Sequence, residues 1–343
     1  MKKKIMASIA AAVIGFSMNP FMGTAVVGAA QISAPANAVE MQKTQVPGYY
    51  RLMVGKYEVT ALFDGIGRLP TSLMENHANF TKAQLDAIID GELAPRDKDG
   101  VMIGGINAYL VNTGDHLILI DAGKGEGIAP IYTDKLGRLV DSLKASGYKP
   151  EQVDAVVFTH LHSDHIMGIT HEGKRVFKNA TLYLQKKDKE FWVDAPVETL
   201  PEPARPFAKD AHYVMQPYVD AGKIKVYTSG DTLFGEVKTV PLPGHTPGHT
   251  GFLFSSQGEQ ILFWGDIMHN VAVQMQHPDV AIDFDSDDAA ARTTRLALLK
   301  KLAANKTIIV AGAHIPFPGL GRLLQEGEGY RWVPVQYTVF DKH

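Results

Sequence analysis

The sequence predicts an α/β fold, a sheet-rich sandwich, and three observations carry that reading. Short β-rich apolar runs alternate with helical stretches in the order strand, polar residue, connection, next strand, without strict repetition. Four of these runs end in residues suited to divalent metals: VDAVVFT before His160, KTVPLPG before His245, GEQILFWG before Asp266, and KTIIVAGA before His314. The chain of 343 residues is long enough for one large core after a leader is set aside.

Residues 1–38 read as a leader. Met1 to Lys4 is basic, residues 5 to 39 carry no charged side chain, and Ala36-Asn37-Ala38 forms an A-x-A cleavage pattern. A signal peptide, 1–38, is therefore expected ahead of a single domain, 39–343, that opens with an N-terminal extension; an uncleaved anchor is the alternative. The mature protein is expected in the periplasm or secreted. No later segment has the 18 to 20 continuous apolar residues of a membrane span, so no membrane association is expected after cleavage. With no cysteine, the chain has neither disulfides nor thiolate metal sites. A formal charge of −3 and the lack of a basic stripe argue against a nucleic-acid partner.

The mature part begins with strands over 49–53 and 57–63 and a turn at Asp64-Gly65. Helical periodicity covers 80–92 with Thr81 as cap, and 93–100 reads as loop. A hairpin follows, 106–112 and 116–121, closed by Asp121-Ala-Gly123. Asp121 reads as a support for the metal loops through buried hydrogen bonds rather than as a catalytic carboxylate. A helix over 132–146 leads to a strand over 153–159, and a second helix begins near His165. TLYLQ (181–185) reads as a strand and 186–192 as a helix start, with KKDKE as a solvated face. Residues 194–221 read as an irregular Pro-rich insertion in which AHYVMQPYVDA is helical. Strands over 224–227, 237–242, 251–255 and 260–265, a helix over 287–304 and a strand over 307–311 complete the series.

The cluster HLHSDH supplies His160, His162, Asp164 and His165 within six positions. Neither a strand nor a helix can aim all four together, so they belong on the loop where a buried strand gives way to a helix. Such a loop can point His160 and His162 at one ion and Asp164 and His165 at a second. Two metals about 3.5–4 Å apart need a bridging ligand. Asp266, with two oxygens at the end of an apolar strand, suits that role. The expected sites are then His160, His162 and His245 for one metal, and Asp164, His165 and His314 for the other. Lone histidines (His77, His116, His171, His212 and His343) read as ordinary surface or core residues. Two cations would lower the pKa of a shared water, and the resulting hydroxide would attack a carbonyl or phosphorus centre. Asp164, near that nucleophile, is a candidate proton donor to the leaving oxygen, and Asp266 is indispensable as the bridge.

HLHSDH, GHTPGHT, WGD and AGAH together resemble, in order, the signature of the metallo-β-lactamase superfamily, and the resemblance runs over nearly all of residues 47–338. It implies a four-layer αβ/βα sandwich with a dinuclear site at one edge of two facing sheets. Within that superfamily PGYYRLMVGKYEVTALFDG, AYLVNTG, KKDKEFW, HPDVAIDFDSD and IPFPGLGRL are most similar to methyl parathion hydrolases and their lactonase-like relatives. The resemblance implies two divalent metals per chain, zinc first and manganese or iron as alternatives, a homodimer, and Trp192 at the substrate mouth. Phe191, Val271, Val273 and Phe317 are expected to make that mouth apolar, favouring small neutral substrates. His269, in IMHNVAVQ, departs from the apolar character expected there; it reads as a neighbour of the site or an exposed histidine, not an eighth ligand. The expected activity is hydrolysis of lactones or aryl esters. The alternatives are a methyl-parathion-like phosphotriester hydrolase and a metal-dependent binding protein.

Overall fold

Each half of the chain builds one seven-stranded sheet, and the apolar alternation within the strands decides which faces meet. The computed structural model describes residues 39–125 and 135–340. The expected signal peptide, 1–38, and His343 lie outside the described residues. The strands and helices of the described residues fall within one compact unit, Val46–His343.

In chain order the first sheet uses β1 (Tyr49–Val54), β2 (Tyr57–Arg68), β3 (Ile103–Asn112), β4 (Leu117–Ile120) and β5 (Ala155–Val157). After a small hairpin of β6 (Thr170–His171) and β7 (Lys174–Arg175) come β8 (Thr181–Gln185) and β9 (Ile224–Tyr227). The second sheet runs β10 (Thr232–Leu233), β11 (Val237–Pro241), β12 (Thr250–Ser256), β13 (Glu259–Phe263), β14 (Ile308–Ala311), β15 (Leu320–Glu326) and β16 (Gly329–Pro334). Each sheet keeps its strands in sequence order. Pairing is antiparallel except at β4–β5, β5–β8, β8–β9 and β13–β14, where helical crossovers intervene.

The helices are α1 (Ser72–Glu75), α2 (Lys82–Gly91), α3 (Leu139–Ala145), α4 (Ser163–Ile166), α5 (Lys186–Lys189), α6 (Arg205–Asp220), α7 (Val271–Gln274) and α8 (Asp288–Ala304). Val59, Tyr109 and Ile118 of the first sheet share one core with Phe252, Phe263 and Ile309 of the second, so those faces pack together. Leu143, Val214 and Tyr218 of α3 and α6 pack on the other face of the first sheet, and Leu298 and Leu302 of α8 on that of the second. The result is the four-layer αβ/βα sandwich.

Local chemistry explains the departures from expectation. Asp64-Gly65 is a bulge inside β2, not a turn, with the register shifting between Phe63 and Gly65. Asp64 is buried and accepts N–H bonds from Lys124 (2.9 Å), Gly137 (3.3 Å) and Leu139 (3.0 Å). Part of the helix expected over 132–146 falls in 126–134, outside the described residues; the described helix starts at Leu139, just after Gly137 with φ +80°. The insertion is more helical than expected. α6 starts at Arg205 because Pro206 occupies the first turn, where a missing N–H costs no hydrogen bond. Thr81 caps α2 through a reciprocal pair with Gln84, as expected.

Candidate metal centre

β5, β11, β13 and β14 all deliver their following loops to one edge of the sandwich, so four short apolar strands fix the positions of seven polar side chains. His160, His162 and His245 bring ligand atoms within 4.8 Å of one another, and so do Asp164, His165 and His314. Asp266 stands between the two groups. Its Oδ2 lies 3.4 Å from His245 Nε2, 3.6 Å from His160 Nε2 and 3.0 Å from His314 Nε2, while Oδ1 lies 3.2 Å from His165 Nε2. His160 and His245 approach to 3.2 Å through their Nε2 atoms. All seven residues singled out from the sequence therefore converge.

A second layer orients the rings. Asp121, held at φ +59°, accepts from the Thr159 N–H and hydroxyl (2.8 Å each) and from His165 Nδ1 (2.8 Å). This is the supporting role expected for it. Asp285 accepts from His245 Nδ1 (2.9 Å) and lies 3.5 Å from the buried Arg295. His314 Nδ1 faces the Gly105 carbonyl at 3.2 Å. His165, His245 and His314 thus present Nε2 inward. Gly265 makes room for the Asp266 loop: a Cβ there would meet His249 Nε2 at 2.5 Å.

Electrostatics separate the histidines. Burial, reinforced by neighbouring imidazoles, pushes His160, His162 and His245 well below the usual histidine range, so their lone pairs are free for a metal. Burial also opposes protonation of His165, but Asp266, Asp121 and Asp164 outweigh it and raise its pKa well above that range; His314 is raised against burial by Asp266 and Asp164. Burial disfavours charge on Asp266, yet His165, His314 and His160 hold its carboxyl well below the carboxylate range. His165 Nε2 and Asp266 Oδ1 are buried and have no hydrogen-bond partner among the described residues. Orphaned donors of this kind, converging as imidazole and carboxylate, fit a pair of divalent cations.

Beside the donors lies a pit of about 40 Å³ bordered by Asp164, His269, Phe207, Phe284 and Arg68. An adjoining cleft of about 500 Å³ shares His162, Phe207 and Phe284 and is walled by Phe191, Trp192 and several prolines. Trp192 is buried with its ring 5.1 Å from that of His162. Three expected mouth residues lie elsewhere. Val273 is in a core with Leu85 and Ile89, Val271 packs against the core cluster that includes Trp264, and Phe317 meets Phe63 edge-to-face at 5.5 Å. Of the two roles expected for His269 it takes that of a neighbour of the site, being buried with Nε2 3.0 Å from Asp266 Oδ2. With His245 and Asp266 it forms a further group of ligand atoms within 4.8 Å of one another, closer to the metal donors than expected.

Four contributors went unread in the sequence. Phe207 and Phe284 lie far from any metal motif, and Arg68 comes from β2, where it pairs with Asp97 (2.9 Å) and Asp99 (3.3 Å). His249, the second histidine of GHTPGHT, was legible as an imidazole four residues after a ligand. His77, His116, His171 and His212 stay outside the cluster.

Fold and donor cluster together define a dinuclear metal-dependent hydrolase. The chain belongs to the metallo-β-lactamase superfamily, whose family model matches residues 102–314. It is 35% identical to a hydrolase called AbOPH of the β-lactamase superfamily, with a TM-score of 0.79 over 86% of this chain and 100% of that one. AidC, a dizinc quorum-quenching lactonase solved with the product N-hexanoyl-L-homoserine, is 27% identical, with a TM-score of 0.74 over 85% and 99%. Among curated relatives, a β-lactamase-like protein 2 homolog of Caenorhabditis elegans is 31% identical over 47% of this chain but only 44% of its own length. An N-acyl homoserine lactonase of Bacillus cereus is 22% identical over 60% of this chain and 79% of its own.

Proposed function

We propose that the protein hydrolyses small neutral lactones or aryl esters at a dinuclear centre. His160, His162 and His245 would hold one ion, Asp164, His165 and His314 the other, and Asp266 would bridge them. The observation that carries this reading is the position of Asp266, whose two oxygens reach imidazoles of both triads. Zinc suits this His/Asp set best. Bound there, two cations supply an ionised water at neutral pH and a Lewis acid for the substrate oxygen.

The chain's own residues do the rest. A pit of about 40 Å³ has room for a reacting group but not for a whole substrate, so the body of the molecule lies in the aromatic cleft. Phe207 and Phe284, with ring centroids 6.4 Å apart, separate the two spaces and shield the pit from water. Asp164 lines the pit; burial opposes its charge, but His165 and His314 keep its pKa below the ordinary carboxylate value. It therefore takes the proton of the attacking hydroxyl once that has added to the carbonyl and passes it to the leaving oxygen. The likeness to a lactonase with bound lactone product supports carbonyl chemistry. His269 points the same way, since it puts a buried polar edge where a bulky apolar phosphotriester would need an apolar wall. The sequence resemblance to methyl parathion hydrolases supports phosphotriester hydrolysis as a second activity.

This reading includes export through residues 1–38 to the periplasm or medium, and a homodimer. No helix among the described residues is long and apolar enough to cross a membrane. The test is kcat/KM for acyl-homoserine and aromatic lactones against a methyl-parathion-like triester, a β-lactam and a glutathione thioester, with metal content measured on the same sample. Lactone turnover with two ions per chain is expected. Triester turnover above every lactone by orders of magnitude would overturn the preference, and no turnover at full metal occupancy would leave a metal-dependent binding protein. A monomer mass by light scattering would reject the dimer.

A further inference from the structure

Lys186, Lys187 and Glu190 of the charged run Lys186 to Glu190 face solvent as its composition suggests, but Asp188 at its centre has no exposed surface. Its carboxylate collects donors from two separate metal loops. Thr246 donates its hydroxyl to Oδ2 (2.8 Å) and Gly248 its N–H to Oδ1 (2.6 Å), both between His245 and His249. The N–H of Leu161, between His160 and His162, donates to the same carboxylate. The first loop follows a strand of one sheet and the second a strand of the other, so this single side chain ties the two sheets' loops together behind one triad.

The approach is built for closeness. A Cβ on Gly248 would lie 2.2 Å from Gln185 Oε1 and 2.7 Å from the Asp188 nitrogen, so no larger residue fits there without displacing α5. Gln185 in turn caps α5 by accepting the N–H groups of Lys187 (2.5 Å) and Asp188 (3.2 Å). The chain then runs directly into the π-helical turn Glu190–Asp194 that seats Trp192 against His162. Burying a carboxylate costs free energy, and an apolar residue would leave three buried donors unmet. Packing alone therefore gives no reason for an acid here.

We propose that Asp188 is the positioning residue of the His160, His162 and His245 triad, fixing two loops so that those three imidazoles hold one ion in preference to the other. This rests on the dinuclear reading above. Asp188 makes no hydrogen bond to the loops that carry Asp266 and His314 among the contacts described, so its influence is one-sided.

The test is chelator competition with cobalt(II) or zinc on the full-length purified protein, together with the cobalt absorption spectrum and thermal unfolding. Wild type is expected to bind two ions. In Asp188→Asn one ion should dissociate about 10–100-fold more readily, the range found when second-layer partners of metal ligands are removed. The other should keep its affinity, the cobalt spectrum of the weakened site should change, and Asp188→Glu should restore part of the loss. Thr246→Val, which removes one donor at constant shape, should weaken the same ion by less and decides the matter if Asp188→Asn does not fold. Unchanged affinities in these variants, or equal weakening of both ions in step with lost thermal stability, overturn the positioning role. A wild type that binds fewer than two ions instead overturns the dinuclear reading itself.

Discussion

The backbone N–H of Asp266 donates to Nε2 of His249 at 3.1 Å, while His249 Nδ1 donates to the Leu242 carbonyl at 2.9 Å. Both ring nitrogens are thereby used, which fixes the tautomer and removes His249 from the ligands. Burial holds this ring at a pKa of about 4, so it stays neutral and can accept. Its task is to hold Asp266. His249→Ala should cut metal retention and kcat/KM by about 10–100-fold, as loss of a second-layer contact does. Full metal content and unchanged kcat/KM would show that Asp266 is held by other contacts.

Asp266 itself is the sharpest test of a shared centre. With oxygens toward both triads, it balances charge on two sides, and no neighbouring carboxylate spans the same gap. Asp266→Ala should leave at most one ion per chain and abolish lactone and triester hydrolysis together. Circular dichroism confirming a folded protein makes the comparison meaningful. Either activity surviving would place that reaction at another site.

His77 gives a pH prediction away from the metals. Burial lowers its proton affinity, but hydrogen bonds to Asp283 (2.7 Å) and Asp288 more than offset this and raise its pKa in the folded state. A raised folded value means the proton stabilises the fold. That contribution is complete below the unfolded pKa of about 6.5 and disappears as pH climbs through the higher folded value. The Tm gap between wild type and His77→Gln should be widest near pH 6 and shrink toward alkaline pH. A gap that is constant with pH would mean that His77 acts by shape alone.

Much of the fold and nearly all of the donor set were legible because both depend on local pattern. A strand must end where its apolar run ends, and His160, His245, Asp266 and His314 stand at such ends. The supporting contacts were less legible. Asp188 sits in a run of lysines and is buried only because two loops from distant strands fold over it. Phe207 and Phe284 meet across 77 positions of sequence, which no periodicity encodes. Asp64-Gly65 looked like a turn because the pair is a turn signal, yet the donors of Lys124, Gly137 and Leu139 needed a buried acceptor there.

The pair Phe207 and Phe284 should set how an aromatic substrate is held. Phe284 lies on the border of both pit and cleft, so its ring can contact a substrate that occupies both. An aromatic contact of this kind is worth roughly 0.5–1.5 kcal/mol beyond area burial, which corresponds to a rise in KM of about two- to tenfold when it is lost. Phe284→Ala should therefore raise KM for aromatic lactones by that factor. A small unsubstituted lactone, which reaches only the pit, should keep its KM. The ring pairs described for Phe284 are with Phe207 and His269 rather than with a residue of either triad, so two ions should remain bound. Equal losses for both substrates at full metal content would show that Phe284 shapes the pit itself rather than the cleft.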